Sequence, residues 1–159
     1  MNEELDILSV DDKIDALEAF MIKGQLVDCP LNHKFLPGLY IREILMPAGS
    51  LVTSMIHKTI HPYFVLQGKV TVYSENFGIQ EITAPFTGTT LPNTRRVLYI
   101  HENCVWVTVH ATSIKPIDDS AEAIKEAVRR IEEEILENRE NGAIGGKMKN
   151  NVLIKNIAL

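Results

Sequence analysis

The sequence predicts a mainly β fold: a small antiparallel barrel with one helix before it and a longer helix after it. Three observations carry that expectation. Strand-like stretches with alternating side chains recur about every ten residues from Leu39 to Ala111, separated by glycine, proline and asparagine turns. Helical periodicity is confined to Val10–Lys23 and Ser120–Asn141. Strands and helices do not alternate, so the rhythm is that of a sandwich or barrel and not of βαβ units. A chain of 159 residues buries one good core. The organisation expected is an N-terminal helical extension over residues 1–27, a barrel over 28–116, and a C-terminal helix and tail over 117–159.

Taken in order, the first element is an amphipathic helix over Val10–Lys23. Ser9 or Asp11 can cap it, Ile14, Leu17, Phe20 and Met21 form its apolar face, and Gly24 stops it. It is expected to pack on the outside of the barrel. Asp28 to Gly38 carries two prolines and reads as a loop. Leu39–Met46 opens the β-rich body and ends at the turn Pro47-Ala48-Gly49. Further strands are expected near 51–58, 63–73, 79–84, 95–101 and 104–111, with Ser74 to Gly78 as a hairpin turn. After Pro116 the run SAEAIKEAVRRIEEEILENREN is strongly helical. Its stripe Ile124, Val128, Ile131 and Ile135 has the spacing of a helix seam, which either pairs with a second chain or lies on its own barrel. At barely two heptads the helix needs such packing to persist. The tail carries three glycines, expected to act as a linker, and then the apolar VLIKNIAL, expected to dock on the same protein or on a neighbouring subunit.

The segment most informative about chemistry is GSLVTSMIHKTIHPYFVLQG, from Gly49 to Gly68. Glycines belong at its turns, and between them the residues alternate like a half-buried strand. Two imidazoles, His57 and His61, near a strand end can supply half or more of a metal's coordination shell. The segment resembles the first motif of the cupin superfamily without a gap. Gly49 and Gly68 stand at its two glycines, His57 at its second histidine, Met55 at its first histidine and His61 at its glutamate. The second motif falls on Phe86 to His101 and keeps only Pro92: Thr94 stands at its glycine, Val97 at its histidine and His101 at its asparagine. The resemblance covers roughly residues 35 to 115 and implies a cupin-type jelly roll, with the ligand usually drawn from the second motif missing. VDCPLNHKFLPGLYIREILMPAG and VWVTVHAT also resemble cupin-like proteins encoded by phages and prophages.

Barrel geometry decides what else reaches His57 and His61. The last strand, CVWVTVHAT, has one face of Val105, Val107 and Val109 and another of Trp106, Thr108 and His110. If the Trp106 face points inward, His110 converges with His57 and His61 into a three-histidine set suited to zinc, iron or copper. If the valine face does, His110 is a surface residue. Tyr99, Thr108 and Glu102 are candidates to fix the second ring nitrogens. Arg95 and Arg96 precede the lost motif-two histidine. An inward arginine would make the pocket a receiver of small anions, with Arg96, Tyr99, His101 and Thr108 as ligand-binding candidates. The alternative is that one arginine caps a loop or faces water and the other pairs with Glu81 or Glu102.

Composition narrows the classes of function. With 45% hydrophobic and 23% charged residues the chain is an ordinary globular one. A net charge of -5 disfavours the broad cationic surface that nucleic acid requires, and Lys147, Lys149 and Lys155 are too dispersed to reverse this. No apolar run approaches the ~20 residues that cross a bilayer, and the acidic N-terminus is unlike a signal peptide, so a cytoplasmic location is expected. Cys29 and Cys104 lack metal or redox spacing and are expected to be free thiols, with Cys104 a weak candidate nucleophile. No phosphate-binding glycine loop or nucleophile elbow occurs. Three readings remain. The first is a small-molecule-binding cupin with a divalent metal on histidines. The second is a cupin metalloenzyme of dioxygenase or isomerase type. The third is a non-catalytic assembly protein of phage origin, oligomeric through the barrel edge or the C-terminal helix.

Overall fold

The computed structural model describes residues 9–137 and the short strand 144–147. The acidic N-terminal segment before Ser9, the end of the expected C-terminal helix, Lys149, Lys155 and the apolar tail lie outside the described residues. Among the described residues eight antiparallel strands form the body: β1 (Leu31–Leu36), β2 (Leu39–Met46), β3 (Ser50–Thr53), β4 (His61–Ser74), β5 (Gly78–Thr83), β6 (Phe86–Thr90), β7 (Arg96–Ala111) and β8 (Ile144–Lys147). Helix α1 (Val10–Ile22) precedes them and α2 (Ala121–Ile135) follows β7. The mainly β class with two flanking helices is as expected.

β7 organises the sheet. Along one side it pairs with β3 through Val97–Tyr99 and with β2 through Cys104–Ala111; β4 runs antiparallel along it from Arg96 to Thr108. It is one strand where the sequence suggested two. The partner strand β4 absorbs the irregularity instead, with register shifts between Val65 and Val70. Gly68 sits at that bulge with φ +99, and a Cβ there would lie 2.4 Å from the Asn103 carbonyl oxygen. The bulge also switches which side of β4 faces inward: Tyr63 and Val65 before it, Val70 and Val72 after it, all enter one core.

That core holds Met46, Val52, Leu98, Ile100, Cys104 and Trp106 as well, so the Trp106 face of β7 points inward and the valine face outward. Arg96, Leu98 and Ile100 alternate with Val97 and Tyr99, which pack on the other side against α1. Ser9 caps α1 through its hydroxyl, and Ile14, Leu17 and Met21 bury against Leu51, Tyr73 and Val97. Phe20 is exposed instead of joining that face, while Glu18 is buried beneath the helix to meet Arg95. The proline-flanked stretch read as a loop contains β1, whose pairing with β2 lies between Pro30 and Pro37. β6, unanticipated, pairs with the first half of β4, and part of the expected linker forms β8 beside β3.

Ser120 caps α2, and the helix buries Ala123, Ala127, Ile131 and Ile135 on its own barrel, with Val128 half-buried alongside. The seam therefore has its partner within the chain. Helix geometry ends at Ile135, and Leu136 turns extended to bridge with His57. No described helix is long and apolar enough to cross a membrane.

Candidate functional site

Three different parts of the chain bring histidines to one end of the barrel. His61 opens β4 opposite Thr90 of β6. His110 stands near the end of β7, opposite Tyr40 of β2. The pairing of Tyr63 with Thr108 sets those two ends side by side. His57 lies between β3 and β4 and is fixed by backbone contacts. Its carbonyl accepts from the Asn93 N–H at 2.8 Å, it bridges with Leu136, and on either side Lys58 N–H donates to Ile135 and Glu137 N–H to Ile56. The rings of His57 and His110 stack at 5.6 Å, and His61 is tilted 4.5 and 4.4 Å from them.

All three imidazoles are held neutral. Burial, then the neighbouring His61, His110, Arg42 and Arg96, push His57 down to about 3. Burial, then His61 and Arg42, push His110 to about 3. His61 is also lowered by burial, countered in part by its hydrogen bond to the Thr59 carbonyl, with Arg96 adding to the lowering. Neutral imidazoles keep a lone pair for a cation.

The donor set fits a metal. One ligand nitrogen from each histidine lies within 4.8 Å of the others. Metal–nitrogen bonds of about 2.1 Å put tetrahedral donors roughly 3.4 Å apart, so small side-chain rotations close the set. The carbonyl partner of His61 chooses its tautomer. His61 Nδ1–H donates to Thr59 O at 3.3 Å, leaving Nε2 free. His110 Nε2 meets Thr108 Oγ1 at 2.9 Å, and its buried Nδ1 has no hydrogen-bond partner among the described residues. With Nε2–H donating to the Thr108 hydroxyl, Nδ1 keeps its lone pair, and a cation bound between the three rings would satisfy it.

A cavity of about 100 Å³ opens beside the histidines. Ile44, Met46, Val52, Leu98 and Trp106 give it apolar walls, and Arg42, Arg96, Thr90 and Thr108 add polar groups. Arg96 is buried, donates to Thr90 Oγ1 at 3.1 Å, and lies 4.9 Å from the Tyr63 ring and 5.8 Å from that of Trp106. Burial holds its guanidinium below the ordinary value, with Tyr63 acting the other way. Met55, at the position of the first motif histidine, also lines the cavity.

The structure thus brings together His57, His61, His110, Arg96 and Thr108. Tyr99 and His101 do not join them. Tyr99 packs towards α1, and His101 lies on the outer face, where its Nε2 meets Thr71 Oγ1 at 2.6 Å beside Glu81. Both alternate out of phase with the inward residues of β7, so neither lines the cavity. Arg95 points the opposite way from Arg96, and its partners are Asp11, Asp15 and Glu18 of α1, not Glu81 or Glu102. Cys104 is buried in the core and its thiol is pushed up to about 11, which removes it as a nucleophile. The sequence reading missed Arg42. It alternates with Tyr40, Ile44 and Met46 on the inward face of β2, and a cation at one step of an apolar face was the available signal.

No known family's sequence profile matches this chain, and no curated protein matches it. Solved structures do. An ectoine synthase from P. lautus superposes with a TM-score of 0.53 at 12% identity, over 91% of this chain and 94% of its own. A conserved protein with a double-stranded β-helix domain from Klebsiella pneumoniae gives 0.47 at 15%, over 66% and 88%. An RmlC-like cupin from Methanocaldococcus jannaschii gives 0.46 at 11%, over 54% and 82%. The architecture is a cupin-type jelly roll, and at such identities the likeness is one of fold alone.

Proposed function

We propose that this chain is a small-molecule-binding cupin-fold protein whose ligand meets a divalent transition metal held by His57, His61 and His110. The observation that carries the reading is that His57, His61 and His110 each offer a ring nitrogen within 4.8 Å of the other two, while the buried Nδ1 of His110 has no hydrogen-bond partner among the described residues. Zinc, iron and copper all accept imidazole donors, and such a metal, when bound, supplies a Lewis acid with open positions for a ligand. The chain's own groups do the rest. Thr108 and the Thr59 carbonyl orient His110 and His61, the Leu136 bridge fixes the His57 segment, and Trp106, Met46 and Leu98 wall the adjoining cavity. No carboxylate lines that cavity among the described residues, so no general acid or base of that kind is placed beside the histidines. Binding is therefore put ahead of turnover. The ectoine synthase's reaction belongs to that protein and does not pass to this chain on fold.

The test is metal content by elemental mass spectrometry on protein purified without chelator. About one metal per chain is expected in the wild type, falling below about a tenth in the His57→Ala, His61→Ala double variant with its circular dichroism unchanged. A wild type that stays empty after incubation with zinc, iron and copper, or a variant that keeps its metal, would sink the reading.

A further inference from the structure

Two adjacent arginines face opposite sides of β7 and meet opposite electrostatic fates. Arg95 is surrounded by three carboxylates of α1: Asp11 at 3.1 Å, Asp15 at 2.9 Å, and Glu18. Arg96 is buried as deeply, yet its partners are the Thr90 hydroxyl, the Tyr63 hydroxyl and two aromatic faces, with no acidic side chain among its partners in the described residues. A buried cation without a counter-charge is costly, and a bound anion would offset that cost. A second guanidinium, Arg42, lines the same cavity, and its ion pair with Glu132 on α2 is long at 3.9 Å.

We infer that the cavity takes a small organic carboxylate, its carboxylate group on Arg96 and its apolar part against Ile44, Met46, Val52 and Leu98. This rests on the pocket reading above, but not on its metal. The planar guanidinium fork matches a carboxylate in two places. The apolar walls favour an ion with a hydrocarbon body over inorganic phosphate, which has none. Size sets the scale. A cavity of about 150 Å³ holds the six carbons of benzene, so the one here, at about 100 Å³ and half-open, encloses roughly four non-hydrogen atoms of an acid and leaves the rest at its mouth. A metal on the three neutral histidines would add further positive charge facing the same space, which strengthens the demand for an anion and for a second oxygen at the histidine end.

Trp106 is the single tryptophan of the chain and lines the cavity, so its fluorescence reports occupancy directly. The experiment titrates pyruvate, its neutral isostere pyruvamide, and inorganic phosphate into wild type in chloride-free buffer. It repeats the titrations on Arg96→Met and Arg96→Gln and on the His57→Ala, His61→Ala double variant. Pyruvate is expected to give a saturable change in wild type, with pyruvamide and phosphate each binding about tenfold more weakly or not at all. Both Arg96 variants are expected to lose about tenfold or more for pyruvate while melting at or above the wild-type temperature, because each removes an uncompensated buried charge. A merely structural arginine would instead lower the melting temperature. Pyruvate binding retained in the double variant supports the anion site as independent of the metal, whose fate is read separately from metal content. Equal affinity for pyruvate and pyruvamide, Arg96 variants within twofold of wild type, or phosphate binding more tightly than pyruvate would each overturn the carboxylate assignment.

Discussion

An imidazole that is neutral inside a folded barrel becomes a liability as protons become available. Free histidine takes up a proton near pH 6.5, whereas His57 and His110 in the fold do so only near 3. The unfolded chain therefore binds the extra protons first. Stability is full above about pH 6.5 and falls as pH drops through the window from 6.5 towards 3. For these two groups the loss between pH 7 and pH 5 is on the order of 4 kcal/mol in metal-free protein. Urea midpoints at the two pH values check it, since most carboxylates have not yet titrated at pH 5. Equal midpoints would mean that these rings are already hydrated or already charged in the fold. His57 and His61 were legible in the sequence because a glycine-bounded motif fixed their spacing. His110 was legible only conditionally, because strand alternation gives two faces and not which one is buried. Trp106 on the same face was the physical tie-breaker: a large ring gains more from burial than a valine does. Arg42 escaped because a cation among apolar neighbours reads as an outward residue until a cavity is known to lie in front of it.

Single elements show where sequence patterns mislead. β7 was divided because Glu102 and Asn103 interrupt its apolar rhythm, yet the strand continues through them while Gly68 on the neighbouring strand takes up the strain. Gly68→Ala should cost on the order of 2–4 kcal/mol, since both its φ of +99 and the Asn103 and Glu102 carbonyls exclude a Cβ. Gly38→Ala, equally left-handed at φ +76 but with open space around it, should cost only about 1 kcal/mol. Denaturant unfolding of the pair separates backbone conformation from close approach, and equal costs would show that the bulge relaxes around the new methyl. β1 was hidden for a different reason. Prolines at both ends signal a loop, but an edge strand tolerates them because they lie just outside its ladder. α2 was placed correctly in the chain, and its stripe could not say whether it served another subunit or its own barrel. The small residues Ala123 and Ala127, which let the helix lie close, were the overlooked sign of self-packing.

At the scale of the whole molecule the two helices do different work. α1 covers the outer face of the sheet away from the cavity, whereas α2 packs on Tyr40, Phe35 and Met55 at the histidine end. Equal damage to the two should therefore have unequal consequences. Leu17→Ala and Ile131→Ala should each cost about 2–4 kcal/mol. Ile131→Ala alone should weaken metal retention, by about tenfold, because it loosens the support of His57. Melting curves together with competition against a chelator of known affinity check this, and parallel metal loss in both variants would show that global stability, and not α2, governs the site.

The backbone clasp between the His57 segment and Ile135–Glu137 also sets an order of events during synthesis. His57 leaves the ribosome long before the residues that hold it in place, and His61 and His110 reach their positions through strand pairings that do not need α2. A nascent chain can thus offer two nitrogens early but the third only after the helix has emerged and docked. Uptake of the proposed metal would then follow the docking of α2, and any ion captured sooner would meet a weaker, two-ligand site from which it can still exchange.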